Sequence, residues 1–187
     1  REGVFERYDG FHQPVPPSRY GLDFNRNWPY QWEPPHRQSG AGLMPLSEPE
    51  TRAAAEFIVK HPNITGIATY HTFSGVVLRP YSDRPDKEMP AADRLIFGAI
   101  AERGGRLSGY PLLSCFHQFT YEEGKPTLGG FDDWAYDHRG VFSYTIELWS
   151  PARAAGVEVK DYIAFLKELP EAVMLKLLRW SDKALGG

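Results

Sequence analysis

Apolar residues recur in two periods along this chain, and the switch between them marks out its elements. Ser47 followed three residues on by Glu50 has the form of a capping box, and Pro49 sits where a first helical turn tolerates it. Ala54, Phe57 and Ile58 follow at helical spacing until His61-Pro62-Asn63 stops the run. Ile64 to His71 is short, mostly apolar and β-branched, which predicts a buried strand, and Val76-Val77-Leu78 predicts a second. Ala91 to Arg103 reads as a helix ended by Gly104-Gly105. Residues 112 to 119 read as extended, and 132 to 138 as a helix capped by Asp132. From Val141 to Leu148 the chain alternates: Phe142, Tyr144, Ile146 and Leu148 on one face, Ser143, Thr145 and Glu147 on the other. Tyr162, Phe165, Leu166, Leu169, Val173, Leu177 and Trp180 return to helical spacing, with Pro170 splitting the run. Strands alternating with helices predict an α/β fold, a mixed β-sheet flanked by helices on both faces.

The first 46 residues fit neither period. Eight of the sixteen prolines lie within the first fifty residues, which forbids long regular elements there. Tyr20, Phe24, Trp28, Tyr30 and Trp32 are too many large rings for a loose linker, so residues 1–46 are expected to wrap on the rest as an ordered coil, with room for one short strand. At 187 residues the whole chain has the size of one domain. A formal charge of −3, with no run of Lys and Arg, argues against a nucleic-acid partner. No apolar stretch approaches the roughly 20 residues that a bilayer-spanning helix needs. One cysteine rules out an internal disulfide framework or a cysteine-rich zinc module, and leaves the compartment unknown.

No G-x-S-x-G elbow and no phosphate-cradling glycine loop occur, so a serine hydrolase and a P-loop enzyme lack support. Cys115 lies in an apolar stretch and is expected to be a small buried hydrophobe rather than a nucleophile paired with His117. Three places concentrate chemistry. In Asp23-Phe24-Asn25-Arg26-Asn27-Trp28, an Arg beside an Asn offers a planar fork and an amide for a carboxylate; stacking of the Arg on Trp28 or Trp32 is the structural alternative. His71 ends a strand, where sites in open α/β sheets gather. Glu147 lies on the polar face near the end of its strand, placed to act as a general base or simply to meet solvent.

Together these segments resemble the zinc carboxypeptidases of the carboxypeptidase A type. The likeness runs through Gly21-Leu22-Asp23-Phe24-Asn25-Arg26-Asn27-Trp28, Ser47-Glu48-Pro49-Glu50-Thr51 and Tyr70-His71-Thr72-Phe73-Ser74-Gly75. It continues through Gly129-Gly130-Phe131-Asp132-Asp133-Trp134 to Tyr144-Thr145-Ile146-Glu147-Leu148, in family order and across nearly the whole chain. The resemblance implies that Asn25 and Arg26 bind the free C-terminal carboxylate of a peptide. It makes His71 a zinc ligand, Glu147 the general base and acid, and Asp132 the floor of the pocket for the terminal side chain. A carboxylate at that floor favours removal of Lys or Arg. Tyr121 is the nearest tyrosine to the family's substrate-capping position.

The family's His-x-x-Glu ligand pair is missing: none of His12, His36, His61, His71, His117 or His138 is followed three residues later by Glu. The oxyanion arginine also belongs upstream of Asn25, where Arg1, Arg7 and Arg19 are available. The chain opens on Arg1-Glu2-Gly3 without an initiator Met. The expectation is therefore the C-terminal portion of a longer catalytic domain, partnered by the missing N-terminal part. Alone it is expected to be inactive and to bind zinc weakly or not at all, since catalytic zinc needs three protein ligands. The competing readings are a zinc amidase or deacylase on the same scaffold, and a non-catalytic binding module. Asn25-Arg26 argues against the first of these, and Glu147 against the second.

Overall fold

The computed structural model describes residues 22–122, 124–167 and 169–186. In chain order the helices are α1 (Pro49–Lys60), α2 (Ala91–Ser108), α3 (Cys115–Gln118), α4 (Phe131–Arg139), α5 (Pro151–Ala154), α6 (Tyr162–Lys167) and α7 (Glu171–Leu185). The strands are β1 (Gly66–Thr72), β2 (Val76–Arg79), β3 (Leu112–Ser114) and β4 (Phe142–Leu148), forming one sheet in the order β1-β4-β2-β3. β1 runs parallel to β4, β2 antiparallel to β4, and β2 parallel to β3, so the sheet is mixed as expected.

The two faces of β4 organise the packing. Tyr144 and Phe142 join Val77 and Leu112 against Phe97 and Ala101 of α2. On the opposite face Ile67 packs with Ala55 and Ile58 of α1 and with Trp134 of α4, while Val76, Leu78 and Leu113 pack with Ile163 of α6. Helices therefore cover both faces. No helix among the described residues is long and apolar enough to cross a membrane.

Within residues 22–46 the irregular stretch is fastened through Trp28 and Tyr30, while Tyr20 lies outside the described residues. Trp28 and Tyr30 are buried in the cluster with Phe131 and Trp134, and the Trp28 and Phe131 rings meet edge-on at 4.7 Å. Asn27, fully buried, is its hub: Nδ2 donates to the carbonyls of Ala41 (2.8 Å) and Met44 (2.9 Å) and to Ser47 Oγ (3.0 Å). Its Oδ1 accepts from the Thr51 hydroxyl at 2.7 Å. Between residues 22 and 46 there is a 3-10 turn, Phe24–Arg26, and no strand; Arg1, Arg7, His12, Arg19 and Gly21 lie outside the described residues.

Several local expectations give way to tertiary structure. Ser47 does not cap α1; the N-cap is Glu48, whose side chain makes no cap bond, because Asn27 and Glu48 claim the Ser47 hydroxyl. β1 is an edge strand of the sheet and only half-covered rather than buried, with Tyr70 66% exposed. Gly104 and Gly105 do not end α2, which continues to Ser108 and stops at Gly109 in the left-handed region, φ 73°. The extended reading of 112–119 holds only to Ser114, whose hydroxyl then caps α3. α4 starts one residue early, with Gly130 as N-cap, so Asp132 sits inside its first turn instead of capping it. Pro170 separates α6 from α7 as predicted.

Candidate active site

A cavity of about 850 Å³ opens where β1 and β4 end, and its wall includes Asn25, Arg26, His71, Tyr121, Asp132 and Glu147. These six residues come from five separate stretches of chain and meet because of three structural joins. The first is strand register: β1 and β4 are parallel with His71 opposite Glu147, so both side chains leave the same face at the same level. His71 Nδ1 lies 3.7 Å from Glu147 Oε1.

The second join is between the Asn-Arg turn and the double glycine. Trp28 N–H donates to the Gly129 carbonyl at 3.0 Å, and Gly129 N–H to the Tyr30 carbonyl at 3.1 Å. Gly129 has φ 67°, and a Cβ there would stand 2.4 Å from the Arg26 carbonyl oxygen, so only glycine permits this approach. Phe131 N–H donates to Asn25 Oδ1 at 2.8 Å, which fixes the amide and leaves Nδ2 as the donor end. Arg26 is held by the Asn25 carbonyl (2.6 Å from Nη1) and by Asp23 (3.6 Å from Nη2).

The third join ties α4 to β4. Ser143 Oγ donates to the Asp132 carbonyl at 2.7 Å, bringing the first turn of α4 over the hydroxyl face of the strand. Thr145 faces the Asp132 carboxyl and draws its pKa downward. The face of β4 that reads as polar is thus its buried face, with Ser143, Thr145 and Glu147 all buried.

The cavity holds groups of both signs of charge. Its wall carries the Arg26 guanidinium, its pKa lowered by burial but still a cation. It also carries three carboxyl groups, Asp132, Asp133 and Glu147, two of them with an unpartnered oxygen. Burial pushes Asp132 up to about 7 against the pull of Thr145, with the Glu147 charge adding to the rise. Glu147 is pushed up to about 7 by burial. Asp133, which no sequence signal singled out, also lines the cavity and is pushed up to about 7 by burial; its Oδ1 accepts the Ser82 N–H at 3.0 Å. Two buried oxygens have no hydrogen-bond partner, Asp132 Oδ1 and Glu147 Oε2. His71 is shifted downward, first by burial and then by the Arg26 charge.

Cys115 packs, half-buried, against the core cluster of Val76, Leu78, Leu113, Phe119 and Ile163, as a small hydrophobe would, and also lines the cavity, its thiol raised by burial and by Asp132 and Asp133. Tyr121 is 44% exposed beside Phe119, the ring centroids 6.1 Å apart. Thr145 was legible two residues before Glu147 on the same face of the strand, whereas nothing local in the sequence brings Gln38 and Ser39 to the cavity wall.

The zinc implied by the resemblance was tested against these donors. His71 presents one imidazole beside Glu147, and no group of three or more His, Cys, Asp or Glu among the described residues could hold a metal ion. The described residues therefore do not by themselves fit a catalytic zinc, which needs three protein ligands.

Comparison with known proteins agrees with the architecture. The sequence profile described as zinc carboxypeptidase matches residues 8–171. Carboxypeptidase B of Bos taurus is 32% identical over 150 residues, covering 71% of this chain and 33% of that protein. Carboxypeptidase B of Astacus astacus is 33% identical over 145 residues, 68% of this chain and 44% of that protein. Among solved structures, carboxypeptidase A of Helicoverpa armigera superposes with a TM-score of 0.57 at 22% identity, covering 88% of this chain and 42% of that one. Thrombin-activatable fibrinolysis inhibitor gives a TM-score of 0.55 at 22% identity, with 94% and 43% covered. The chain thus spans between a third and a half of the length of these proteins. It belongs to the zinc carboxypeptidase family.

Proposed function

We propose that this chain carries the substrate-recognition half of a zinc-dependent carboxypeptidase that removes basic residues from peptide C-termini. One observation carries the reading: a half-buried arginine and a buried aspartate with a partnerless oxygen line one cavity, with a histidine and a glutamate paired between adjacent strands. Arg26 and the Asn25 amide bind the terminal carboxylate, a charge-assisted interaction that an internal peptide bond cannot offer. Asp132 receives the cationic end of the terminal side chain. Glu147 Oε2 is the oxygen free to take a proton from the attacking water and to return it to the leaving amine. Tyr121, at the cavity mouth, closes over the bound end. Zinc is the family's metal; His71 is the ligand this chain supplies, and the remaining donors come from outside the described residues. That several similar proteins are named carboxypeptidase B supports the basic preference.

Two measurements test the reading. Benzoylglycyl-lysine, titrated calorimetrically into the chain, is expected to bind about tenfold more weakly to Arg26→Gln, and its C-terminal amide to bind the unaltered chain equally weakly. Equal affinity for acid and amide would overturn the carboxylate site. The purified 187-residue chain, supplied with zinc, is expected not to hydrolyse the same compound. Robust hydrolysis would overturn the division of ligands proposed here.

A further inference from the structure

A second hollow, of about 620 Å³, opens between α1, α4 and residues 44–46, and it shares no wall residue with the cavity that holds Arg26. One face of α1 forms a side of it: Arg52, Ala55, Glu56, Val59 and Lys60 recur at helical steps of three and four, over about 12 Å of the helix. Its base is apolar. Trp134 is buried in one cluster with Ala55, and Leu46 packs against that cluster. Met44 and Val59 also line the hollow yet stay 58% and 50% exposed. Around this apolar base stand three exposed cations, Arg52, Lys60 and Arg139, against a single carboxylate, Glu56, which lies 3.6 Å from Lys60. Arg52 and Arg139 make no ion pair among the described residues.

Helix electrostatics accounts for Lys60 and Arg139, which lie in the last turns of α1 and α4, where a cation is favoured. It does not account for Arg52, in the opening turn of α1, where the dipole favours an anion. The walls also decide what can lie among these charges. The N–H groups along this face of α1 are spent inside the helix, and that of Trp134 goes to the Gly130 carbonyl. Asn27 takes the Met44 carbonyl and the Leu46 N–H. A peptide main chain laid along the base would leave its carbonyls without donors, and burying them unpaired is costly. A ligand with an apolar body and one anionic end meets both conditions: the body needs no donors, and the arginines at the rim receive the charge. A volume of about 620 Å³ falls within the range of small-molecule sites.

We propose that this hollow is a second ligand site, for a small amphiphilic carboxylate of the fatty-acid type, its apolar body over Leu46, Val59 and Trp134 and its carboxylate held by Arg52 and Arg139. The site is independent of the peptide-binding reading above. Decanoate, kept below its micellar range, is titrated calorimetrically into the 187-residue chain. Binding is expected to weaken about threefold in Arg52→Gln and in Arg139→Gln, and about tenfold when both are changed. It is also expected to weaken as salt is raised, since the arginines are exposed. Val59→Asp, which sets a carboxylate on an exposed part of the wall, is expected to abolish binding, and unaltered urea midpoints show that these surface variants remain folded. Because decanoate could also seek the other arginine of this chain that lines a cavity, Arg26→Gln is titrated alongside and is expected to bind it as the unaltered chain does. Loss in Arg26→Gln with none in the rim variants would put the ligand in the other cavity and overturn the proposal. Decanol binding as tightly as decanoate would leave the arginines without a role and overturn it too, as would no binding of decanoate at all.

Discussion

Both faces of β4 carry buried side chains, yet they are built on opposite terms. On one, Tyr144 and Phe142 meet the Phe97 ring edge-on at 5.2 and 5.1 Å, and the Tyr144 hydroxyl donates to the Phe97 carbonyl at 3.1 Å. Apolar area is removed from water there and the polar tip finds a partner, so burial stabilises. On the other face, two residues apart along the same strand, Thr145 and Glu147 meet Asp132 and His71, and two carboxyl oxygens are left without partners. Burial there costs stability and raises the proton affinity of the acids. A single strand thus separates the region that holds the fold from the region that holds the chemistry.

The difference can be broken most violently on the aromatic face. Phe97 is fully buried and its ring touches those of Tyr136, Phe142 and Tyr144. Phe97→Ala is expected to cost about 4 kcal/mol in denaturant unfolding, as the transfer and cavity terms add. If the faces are independent, the surviving folded fraction should bind benzoylglycyl-lysine with unaltered affinity. A somewhat smaller effect is expected where the site is fastened to the fold. Gly129→Ala puts a methyl group against the Arg26 carbonyl at a positive φ, and about 2 kcal/mol of stability should be lost. Because that contact also places Arg26, ligand affinity should fall together with stability, unlike in Phe97→Ala.

The aromatic face was legible because hydrophobic periodicity reports burial directly: Phe142 and Tyr144 announced themselves by alternation, and Trp28 and Tyr30 by being rings in a proline-rich stretch. The polar face was legible in position but not in burial. Alternation assigns Ser143, Thr145 and Glu147 to solvent as readily as to a cavity, and only α4 docking through Ser143 and Asp132 decides between them. The same limit explains the misread caps. Ser47 satisfies a local pattern for capping, but Asn27, twenty residues earlier, competes for its hydroxyl and wins. Gly104 and Gly105 look like a stop, yet α2 passes through them, since a helix packed by Phe97 and Ala101 tolerates about 1 kcal/mol per glycine. His71, Glu147, Asn25 and Arg26 were found as members of a family pattern, whereas Asp133 and Cys115 required the cavity itself.

The smallest expected effect sharpens the comparison by reversing its sign, since on the polar face a substitution should stabilise. Asp133 is 1% exposed and is pushed from 3.8 up to about 7, mainly by burial, with the Asp132 and Asp83 charges adding. Its folded pKa lies above its unfolded one, so below about pH 4 the group is protonated in both states and costs nothing. Between the two values the unfolded chain has released the proton that the folded chain still holds. Stability is therefore lost as pH rises from about 4 through about 7. Asp133→Asn keeps an oxygen to accept the Ser82 N–H and removes the ionisation, so it should match the parent near pH 4 and exceed it by about 1–2 kcal/mol at pH 8. Urea midpoints collected across that range provide the measurement. A parent curve that rises toward pH 8, or a variant curve parallel to it, would mean that Asp133 is stabilised as an anion. The carboxyl face of β4 would then rest on the same favourable burial as the aromatic one.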